Sequence, residues 1–276
     1  MPEDSQDLID RWSERLLSAS GYGRTGFAQG FDRNRPSPPD ALLDILCLEA
    51  QVERPKLVVD LGSGTGLSTR VWAERADEVV GVEASPEMCA QAEQATEAGN
   101  VRFVKAYAQA TGLPDAVADI VTSSQSFHWM EPTATLGEAA RLLRPGGVFA
   151  AYDYDWPPIV HPEVEAAFEE MLRLVGERRV VGGRGRMRYP KEGHLERIRE
   201  SGHFSYVREA VLHSHERGSA DRIVGMALSL GPLTVLLDEA SEEELGLEQL
   251  REVSHRVLGE REVEIFLGYR IRLGVK

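Results

Sequence analysis

The sequence has little cysteine and no long apolar run. It contains two cysteines, Cys47 and Cys89, each in a segment of helical pattern and without another cysteine or histidine nearby at the spacing of metal ligands. We therefore expect two reduced, buried thiols and no metal site. No stretch of about 18 apolar residues occurs, which is the length of a membrane-spanning helix. The first residues, MPEDSQDLIDRW, are acidic and lack the apolar core of a signal peptide, so we expect a cytoplasmic protein.

Basic residues are also scarce relative to acidic ones. The chain has 31 Lys and Arg against 45 Asp and Glu, a formal net charge of −14. Such a field repels phosphate backbones and anionic lipid surfaces, so we expect neither nucleic acid nor a membrane as a partner. With 276 residues, 42% of them hydrophobic, the chain is long enough for one large globular domain. The sequence does not indicate an oligomeric state.

Short apolar segments alternate with helical ones from residue 56 onward. Predicted strands cover residues 56–62, 78–85, 101–106, 118–124 and 148–154. Helices are predicted over residues 66–76, after an N-cap at Ser85 with Pro86 in the first helical position, and around Leu136 to Leu143. Asp40 is predicted to cap an earlier helix. Apolar strands that alternate with helices indicate a mainly parallel sheet covered on both faces.

The pattern changes after residue 155. An amphipathic helix is predicted from Val164 to Val175, followed by a helix over 192–201, a strand over 204–214, and helices over 220–237 and 241–259. The final segment, VEIFLGYRIRLGV, alternates in polarity and predicts a seventh strand. We therefore expect a single α/β domain. It would comprise an N-terminal helix and arm (1–39), a core (40–155), and helical insertions around the sixth strand together with the final strands (156–276).

A glycine-rich turn follows the first predicted strand, in the stretch VVDLGSGTGLST (58–69). Its glycines allow a ligand to approach the backbone closely, and the next helix presents free N–H groups. The spacing G-x-G-x-G differs from the dinucleotide fingerprint G-x-G-x-x-G. Asp60 fits poorly beside a pyrophosphate and better beside an ammonium or sulfonium group. Glu83, 19 residues after Gly64, ends the second strand, where a carboxylate can accept both hydroxyls of a ribose.

Together these motifs resemble those of class I S-adenosylmethionine-dependent methyltransferases over residues 56–155. VVDLGSGTG resembles the family's first motif, VVGVEASPEM its second, ADIVTSSQSFHWM its fourth-strand motif, and LLRPGGVFA its fifth-strand turn. The arm GFDRNRP and the ending GYRIRLGVK resemble the small-molecule branch of the family. The resemblance implies a Rossmann-like, seven-stranded, mostly parallel sheet with the last strand antiparallel and helices on both faces. It also implies S-adenosyl-L-methionine as cofactor, bound over the carboxyl ends of the strands.

The resemblance implies a set of cofactor-binding residues: Asp60, Gly62, Ser63, Gly64, Gly66, Glu83, Ala84, Met88, Ala108, Gln109, Ser124 and Arg35. Asp60 and the glycines would line the methionine and ribose, Glu83 would hold the ribose hydroxyls, and Ala84 and Met88 would flank the adenine. The sequence departs from the family at Tyr107, where an acid often binds the adenine amino group. Either the Ala108 backbone and Gln109 serve instead, or Tyr107 itself does. Arg35 either covers the cofactor's carboxylate or is a solvated surface residue.

The loop after the fourth strand, residues 124–130, would face the transferred methyl group. Gln125 either orients the acceptor or bonds within the loop, and Trp129 either walls the site or packs. His128 is a candidate general base, although structural packing is the favoured interpretation. A base is needed only for an acceptor that is protonated at neutral pH, and a carboxylate needs none. The Asn- or Asp-Pro-Pro motif of enzymes that methylate nucleobases is absent, which argues against such acceptors.

Two further segments are candidates for the acceptor site. Residues 152–155, Tyr-Asp-Tyr-Asp, end the fifth strand, so either the tyrosines or the aspartates point toward the site. The loop 177–190 carries five arginines against one acid and is either a lid for an anionic acceptor or an exposed loop. The sequence therefore predicts methyl transfer to a small organic acceptor, at the oxygen of a carboxylate or hydroxyl. The alternative is a protein that binds the cofactor or its product without methyl transfer.

Overall fold

A seven-stranded sheet forms the centre of the fold, with strand order β3-β2-β1-β4-β5-β7-β6. The computed structural model describes Glu14, residues 28–181 and residues 188–276, so the predicted N-terminal helix, part of the arm, Arg184 and Arg186 lie outside the described residues. The strands are β1 (Leu57–Leu61), β2 (Glu78–Glu83), β3 (Val101–Lys105), β4 (Ala118–Ser124), β5 (Leu143–Tyr154), β6 (Tyr206–Gly218) and β7 (Val263–Val275). β1 to β5 run parallel, and β7 pairs antiparallel with β5 and β6. This topology confirms the predicted sheet and its antiparallel last strand.

Helices connect the strands and form two insertions, one before β6 and one after it. The helices are α1 (Ala28–Asn34), α2 (Asp40–Glu49), α3 (Leu67–Arg70), α4 (Pro86–Gln94), α5 (Pro132–Leu142), α6 (Pro162–Val181), α7 (His194–Glu200), α8 (Ala220–Leu228), α9 (Gly231–Leu236) and α10 (Leu247–Leu258). α6 and α7 precede β6, and α8 to α10 follow it, as predicted. Among the described helices, none is both long and apolar enough to cross a membrane.

Helix starts and ends agree only in part with the predictions. Ser85 caps α4 as expected, because its hydroxyl accepts the Met88 N–H at 3.3 Å. Asp40, predicted to be a cap, is instead the first helical residue, and Pro39 occupies the N-cap without a side-chain hydrogen bond. The helix expected over 66–76 ends after four residues and continues as turns. Apolar spacing therefore located these helices but did not fix their ends.

The fifth strand starts earlier than predicted. Leu143 pairs with Ala118 and Val148 pairs with Ile120, so the ladder between β4 and β5 contains a bulge. The RPGG segment, expected to separate a helix from a strand over 148–154, lies within that bulge. A proline and two glycines are tolerated there because a bulge releases the chain from regular pairing.

Each face of the sheet carries its own hydrophobic core, since alternate strand residues point to opposite faces. On one face, Val58 and Ile120 pack with α2, α6 and the three helices that follow β6. On the other face, Val59 and Val121 pack with α5 and α7. The carboxyl ends of β1, β2, β4 and β5 therefore meet at one edge of a fully covered sheet, where loops and insertions can enclose a site.

Candidate active site

The loop after β1 takes its shape from glycines in the left-handed region. Gly62 and Gly64 have φ values of +68° and +58°, which an L side chain adopts only with strain. A Cβ on Gly62 would lie 2.6 Å from Met130 Cε and 2.8 Å from Ser126 Cβ, so close packing requires this glycine. A Cβ on Gly64 would meet nothing within 4 Å. The backbone at Gly64 is therefore open to a ligand.

Asp60 lies beneath this loop rather than in the wall of a cavity. Its carboxylate is fully buried and accepts hydrogen bonds from the hydroxyls of Ser68 (2.7 Å), Thr69 (2.8 Å) and Thr122 (2.8 Å). Burial raises its pKa above the ordinary value, while these hydroxyls oppose the shift. The Asp60 carboxylate thus fastens the loop to β4 and α3, and its predicted contact with the cofactor stays a prediction.

Glu83, at the end of β2, does face the open side of the loop. Its two carboxylate oxygens accept the N–H groups of Gly64 (2.8 Å) and Ser85 (2.7 Å). The side chain is 8% exposed, and burial raises its pKa, partly offset by these backbone donors. The Ala84 N–H is a third backbone donor to this carboxylate, which leaves part of its acceptor capacity free. The carboxylate is thus held in place for a ligand that offers hydroxyl donors.

A cavity opens between this loop and the ends of β2 and β4. Ten predicted cofactor residues line it: Arg35, Gly62, Ser63, Gly64, Glu83, Ala84, Met88, Ala108, Gln109 and Ser124. Gly66 and Asp60 do not line it, so their contact with the cofactor stays a prediction. Gly66 stands at the N-cap of α3 with φ +82°, where a Cβ would lie 2.7 Å from the Phe103 ring. Its role is therefore in the turn and in packing.

Sequence reasoning missed several residues of the same wall. They are Phe31, Pro36, Pro38, Thr65, Leu67, Ser126 and Met130. The first three belong to the arm GFDRNRP and the prolines after it, so the arm's resemblance to the small-molecule branch was the available signal. The others neighbour predicted residues in the chain.

The residues of this first cavity fit S-adenosylmethionine. Glu83 offers a carboxylate acceptor to the ribose, and the buried Ser63 hydroxyl has no hydrogen-bond partner among the described residues. Apolar side chains for a flat ring are supplied by Ala84 and Met88, with Tyr107 beside them. Tyr107 is partly buried where the family often has an acid. The wall can therefore receive an adenosine without that carboxylate.

The arm covers the first cavity and is tied to the rest of the chain by charged side chains. Asp32 accepts from the Thr65 hydroxyl and pairs with Arg70 at 2.5 Å. Arg35 donates to Tyr154 Oη at 2.6 Å and to the hydroxyl and carbonyl of Ser229, each at 2.8 Å. Arg35 is 5% exposed, so the alternative of a solvated surface arginine is wrong for this residue.

A second cavity, of about 740 Å³, adjoins the first. The two share four lining residues: Arg35, Gln125, Trp129 and Tyr154. The second cavity is bounded by the end of β5, by α6 and by the segment that leads into α7. Its size is in the range of a small-molecule site. Two ligands bound in these cavities would therefore meet at the four shared side chains.

Gln125 stands at this boundary in a constrained conformation. Its φ of +50° is uncommon for a residue with a side chain. Its amide donates to the Tyr154 carbonyl at 3.2 Å, and its Oε1 accepts from Lys191 Nζ at 2.6 Å. Strained backbone held by several contacts is frequent at functional sites. Gln125 thus hydrogen-bonds to residues outside its own loop and lines both cavities, and its role in orienting the acceptor stays a prediction.

His128 lines the second cavity but not the first. It is 4% exposed, and burial holds its pKa well below 6.5, with Lys191 and Arg188 adding to the shift. Its Nδ1 lies 3.9 Å from a carboxylate oxygen of Asp153, beyond hydrogen-bond distance. The imidazole is therefore neutral at physiological pH and a weak proton acceptor. Trp129, by contrast, lines both cavities, with the Arg179 guanidinium 5.9 Å from its ring.

The end of β5 divides its four polar residues between core and site. Tyr152 and Tyr154 both belong to the hydrophobic core, but only Tyr154 also lines the second cavity, together with Asp153 and Asp155. Asp153 pairs with Lys191 at 2.7 Å and with Arg272 at 3.2 Å. Lys191 is a site residue that sequence reasoning missed. The candidate arginine-rich loop was taken to end at residue 190, one residue before it.

In the part of the chain that the structure describes, no group of three or more His, Cys, Asp or Glu side chains is arranged to hold a metal ion. Cys47 and Cys89 are both free and buried. His213 and His215 lie on the exposed side of β6, and His215 pairs with Glu264 at 2.9 Å.

Comparison with known sequences assigns the central part of the chain. Residues 59–151 match the methyltransferase domain family. An uncharacterized methyltransferase of Mycobacterium tuberculosis is 38% identical over 137 residues, which are 49% of this chain and 52% of the relative. The trans-aconitate 2-methyltransferase of Methylobacterium radiotolerans is 33% identical over 169 residues, 58% of this chain and 61% of the relative. The chain thus spans about half the length of the curated relatives it matches.

A solved structure agrees with this assignment over a longer stretch. A candidate type II methyltransferase from Anaeromyxobacter dehalogenans covers 87% of this chain and 97% of its own, at 25% identity and a TM-score of 0.67. The matched family segment contains β4 and the glycine loop between β1 and α3, which form the floor of the first cavity. Residues 59–151 therefore match a methyltransferase domain, and the chain has the Rossmann-like fold of methyltransferases.

Proposed function

We propose that the chain transfers a methyl group from S-adenosyl-L-methionine to a small organic acceptor. The observation that carries this proposal is the pair of adjoining cavities, which share Gln125, Trp129 and Tyr154. The first cavity fits the cofactor, and the second has room for a separate molecule. Methyl transfer requires the acceptor atom, the methyl carbon and the sulfur in line, which two cavities that meet at one boundary can provide.

The chain's contribution is to bind, orient and exclude water. The cofactor, when bound, supplies a methyl group already activated by a sulfonium. Glu83 would hold its ribose, and the backbone at Gly64 would lie against it, with Arg35 at the boundary to the second cavity. Gln125 and Trp129 would orient the acceptor from that same boundary. His128, being neutral, would offer a hydrogen bond rather than a charge.

An oxygen acceptor, either a carboxylate or a hydroxyl, is the finer part of the proposal. The relative from Methylobacterium radiotolerans is named for trans-aconitate, a small polycarboxylate. The net charge of −14 disfavours nucleic acid as acceptor. We also propose that residues 156–276 provide the acceptor cap, since α6 and the segment leading into α7 line the second cavity.

A second candidate is a protein that binds the cofactor or its demethylated product without transferring a methyl group. Tyr107 favours it, because a tyrosine stands where the family often has an adenine-binding acid. The lowered pKa of His128 favours it as well, since this imidazole is a poor base for an acceptor that must lose a proton.

A transfer assay separates the two candidates. The purified chain is incubated with S-adenosylmethionine and a panel of carboxylic acids, phenols and amines, and S-adenosylhomocysteine is quantified by chromatography. We expect acceptor-dependent formation of S-adenosylhomocysteine. Binding of both cofactor forms without turnover on any acceptor would favour the second candidate, and no binding of either form would contradict both.

A further inference from the structure

The second cavity is positively charged in a protein that is strongly acidic overall. Its described lining contains six basic side chains and four carboxylates. The basic ones are Arg35, Arg179, Arg188, Lys191, Arg270 and Arg272, and the acidic ones are Asp153, Asp155, Glu192 and Glu209. The lining thus carries a surplus of two positive charges, whereas the whole chain carries −14. A concave surface of one sign concentrates ligands of the opposite sign.

Three of the four acidic side chains are already paired with cations of the same lining. The ion pairs are Asp153 with Lys191 (2.7 Å) and Arg272 (3.2 Å), Glu209 with Arg272 (2.9 Å), and Asp155 with Arg270 (3.1 Å). The other charges of the lining are three arginines and Glu192. These pairs are part of the lining, whose net charge stays positive by two.

Part of this positive charge lies at the boundary where two bound ligands would meet. Lys191 Nζ is 2.6 Å from Oε1 of Gln125, which lines both cavities. Arg35 also lines both cavities. Lys191, Arg188 and Arg35 all lie close enough to His128 to lower its pKa. A cluster of cations in a half-enclosed site is costly unless an anion neutralises it.

The same cations make the histidine of the second cavity a poor proton acceptor. His128 has a strongly lowered pKa, because it is buried and surrounded by cations. The ammonium of Lys191 is paired with Asp153, and this pairing opposes the lowering of its pKa by burial. A hydroxyl acceptor must lose a proton during methyl transfer, whereas a carboxylate acceptor is already an anion. The described boundary is thus suited to the second kind of acceptor.

Building on the proposed function, we propose that the acceptor is a carboxylate anion, held beside Lys191 and Arg188, and that the product is its methyl ester. An acceptor oxygen forms the new bond to the methyl carbon, and the carbon–sulfur bond breaks with its electron pair left on sulfur. No proton moves. An anion and a sulfonium are converted to a neutral ester and a neutral thioether, so the product loses its attraction to the cations and is released.

The test compares charged and uncharged acceptors in the transfer assay. Succinate, trans-aconitate and cinnamate are assayed against succinamide and cinnamamide, with p-cresol as a hydroxyl acceptor. We expect turnover with at least one acid, none with the amides, a base-labile ester as product, and a rate that is flat between about pH 6 and 9 because no base titrates. Transfer to p-cresol with a rate that rises with pH would overturn the proposal.

Variants of the two cations add a readout that a merely structural role would not move. Lys191→Met and the more exposed Arg188→Met are each expected to raise KM for the active acid about tenfold, while the affinity for S-adenosylhomocysteine is unchanged. Lys191→Arg is expected to restore part of the loss. Arg199→Met removes an exposed charge of α7 outside the cavity and is the matched control. If KM for the acid is the same in Lys191→Met and Arg188→Met as in the control Arg199→Met, the assignment is overturned.

The two proposals fail in different ways. If S-adenosylhomocysteine forms only with uncharged acceptors, methyl transfer stands and the carboxylate proposal falls. If none forms with any acceptor, the proposed function falls first. Calorimetry then tests the anion site separately: the acids titrated into protein loaded with S-adenosylhomocysteine should bind more weakly as salt rises. Acids that show no such binding would contradict the anion site itself.

Discussion

Gly62 and Gly64, in the loop after β1, both have positive φ but differ in how closely they are packed. Gly64→Ala should cost about 1 kcal/mol of unfolding free energy for the left-handed backbone. Its methyl group would occupy the open side of the loop, so affinity for S-adenosylhomocysteine should fall at least about tenfold. Gly62→Ala should cost a further ~1–3 kcal/mol, because its Cβ would meet Met130 at 2.6 Å. Urea denaturation and calorimetry measure the two effects. Equal stability losses, or unchanged affinity in Gly64→Ala, would contradict this assignment.

Two buried histidines should make the protein sensitive to acid. Burial lowers the pKa of His128 well below 6.5 and that of His194 to about 3. Below about pH 6.5 the unfolded chain takes up a proton on each of these histidines, whereas the folded chain does not. The free energy of unfolding is therefore unaffected by them above that pH and decreases as the pH falls below it. The loss is at most about 1.4 kcal/mol per pH unit for each histidine.

The variant His128→Asn isolates this effect from the acidic groups that titrate in the same range. Urea denaturation is measured at several pH values between about 7 and 4. The stability difference between wild type and the variant should shift in the variant's favour as the pH falls. His213→Asn, on the exposed side of β6, controls for loss of an imidazole at the surface. Parallel pH curves for wild type and His128→Asn would contradict the prediction.

Single residues also show what the sequence can and cannot reveal. Asp60 and Glu83 both stood out as carboxylates beside the glycine loop, yet only Glu83 lines the cavity. The three hydroxyls that engage Asp60 come from α3 and β4, and no local pattern pairs them with it. Lys191 was missed for a related reason: its partner Asp153 is distant in the chain and close only in the fold.

At the level of elements, α1 acts as a strap across the first cavity. It packs against α4 and α8, and Asp32 ties it to the glycine loop through Thr65 and Arg70. The Asp32 and Arg70 side chains are each 22% exposed, so the pair contributes about 1 kcal/mol. Asp32→Asn should therefore release S-adenosylhomocysteine about fivefold faster, with little change in thermal stability.

Stopped-flow displacement measures this dissociation rate. Asp77→Asn is the control, since Asp77 pairs with Arg54 at 2.6 Å away from either cavity. The difference between wild type and Asp32→Asn should shrink at high salt, which screens exposed ion pairs. An unchanged dissociation rate would show that α1 does not hold the ligand.

The elements themselves followed well from the sequence where periodicity was strong. The seven strands and the helix through Val164 and Phe168 formed where they were predicted, and most of them have a regular buried face. Element ends were less predictable. β5 begins at Leu143 because that residue pairs with Ala118 across a bulge, a tertiary contact that local composition does not reveal.

At the level of the whole molecule, we propose that the described chain unfolds as one unit. One hydrophobic core joins strand residues such as Val58 and Ile271 to Phe168 of α6 and Leu250 of α10. The predicted core and cap segments therefore share buried surface. Calorimetry and far-ultraviolet circular dichroism should show a single, coincident transition. A separate early transition of the insertions would contradict a single domain.

Phe168→Ala probes this coupling. The side chain is fully buried and stacks on Trp156 with ring centroids 5.5 Å apart. The variant should lose about 3–5 kcal/mol, from lost burial and the cavity left behind. The whole transition, rather than a part of it, should move to lower denaturant. A loss confined to a minor fraction of the signal would indicate that the insertions unfold on their own.

The most direct test of the central proposal is a calorimetric titration of the wild-type chain and Glu83→Gln with S-adenosylmethionine, S-adenosylhomocysteine and NAD. Glu78→Gln, at the exposed start of the same strand, is the matched control. We predict micromolar binding of the first two ligands to wild type and Glu78→Gln, at least about tenfold weaker binding to Glu83→Gln, and no saturable binding of NAD. Saturable NAD binding, or no binding of either methionine derivative to the wild-type chain, would contradict the proposed function.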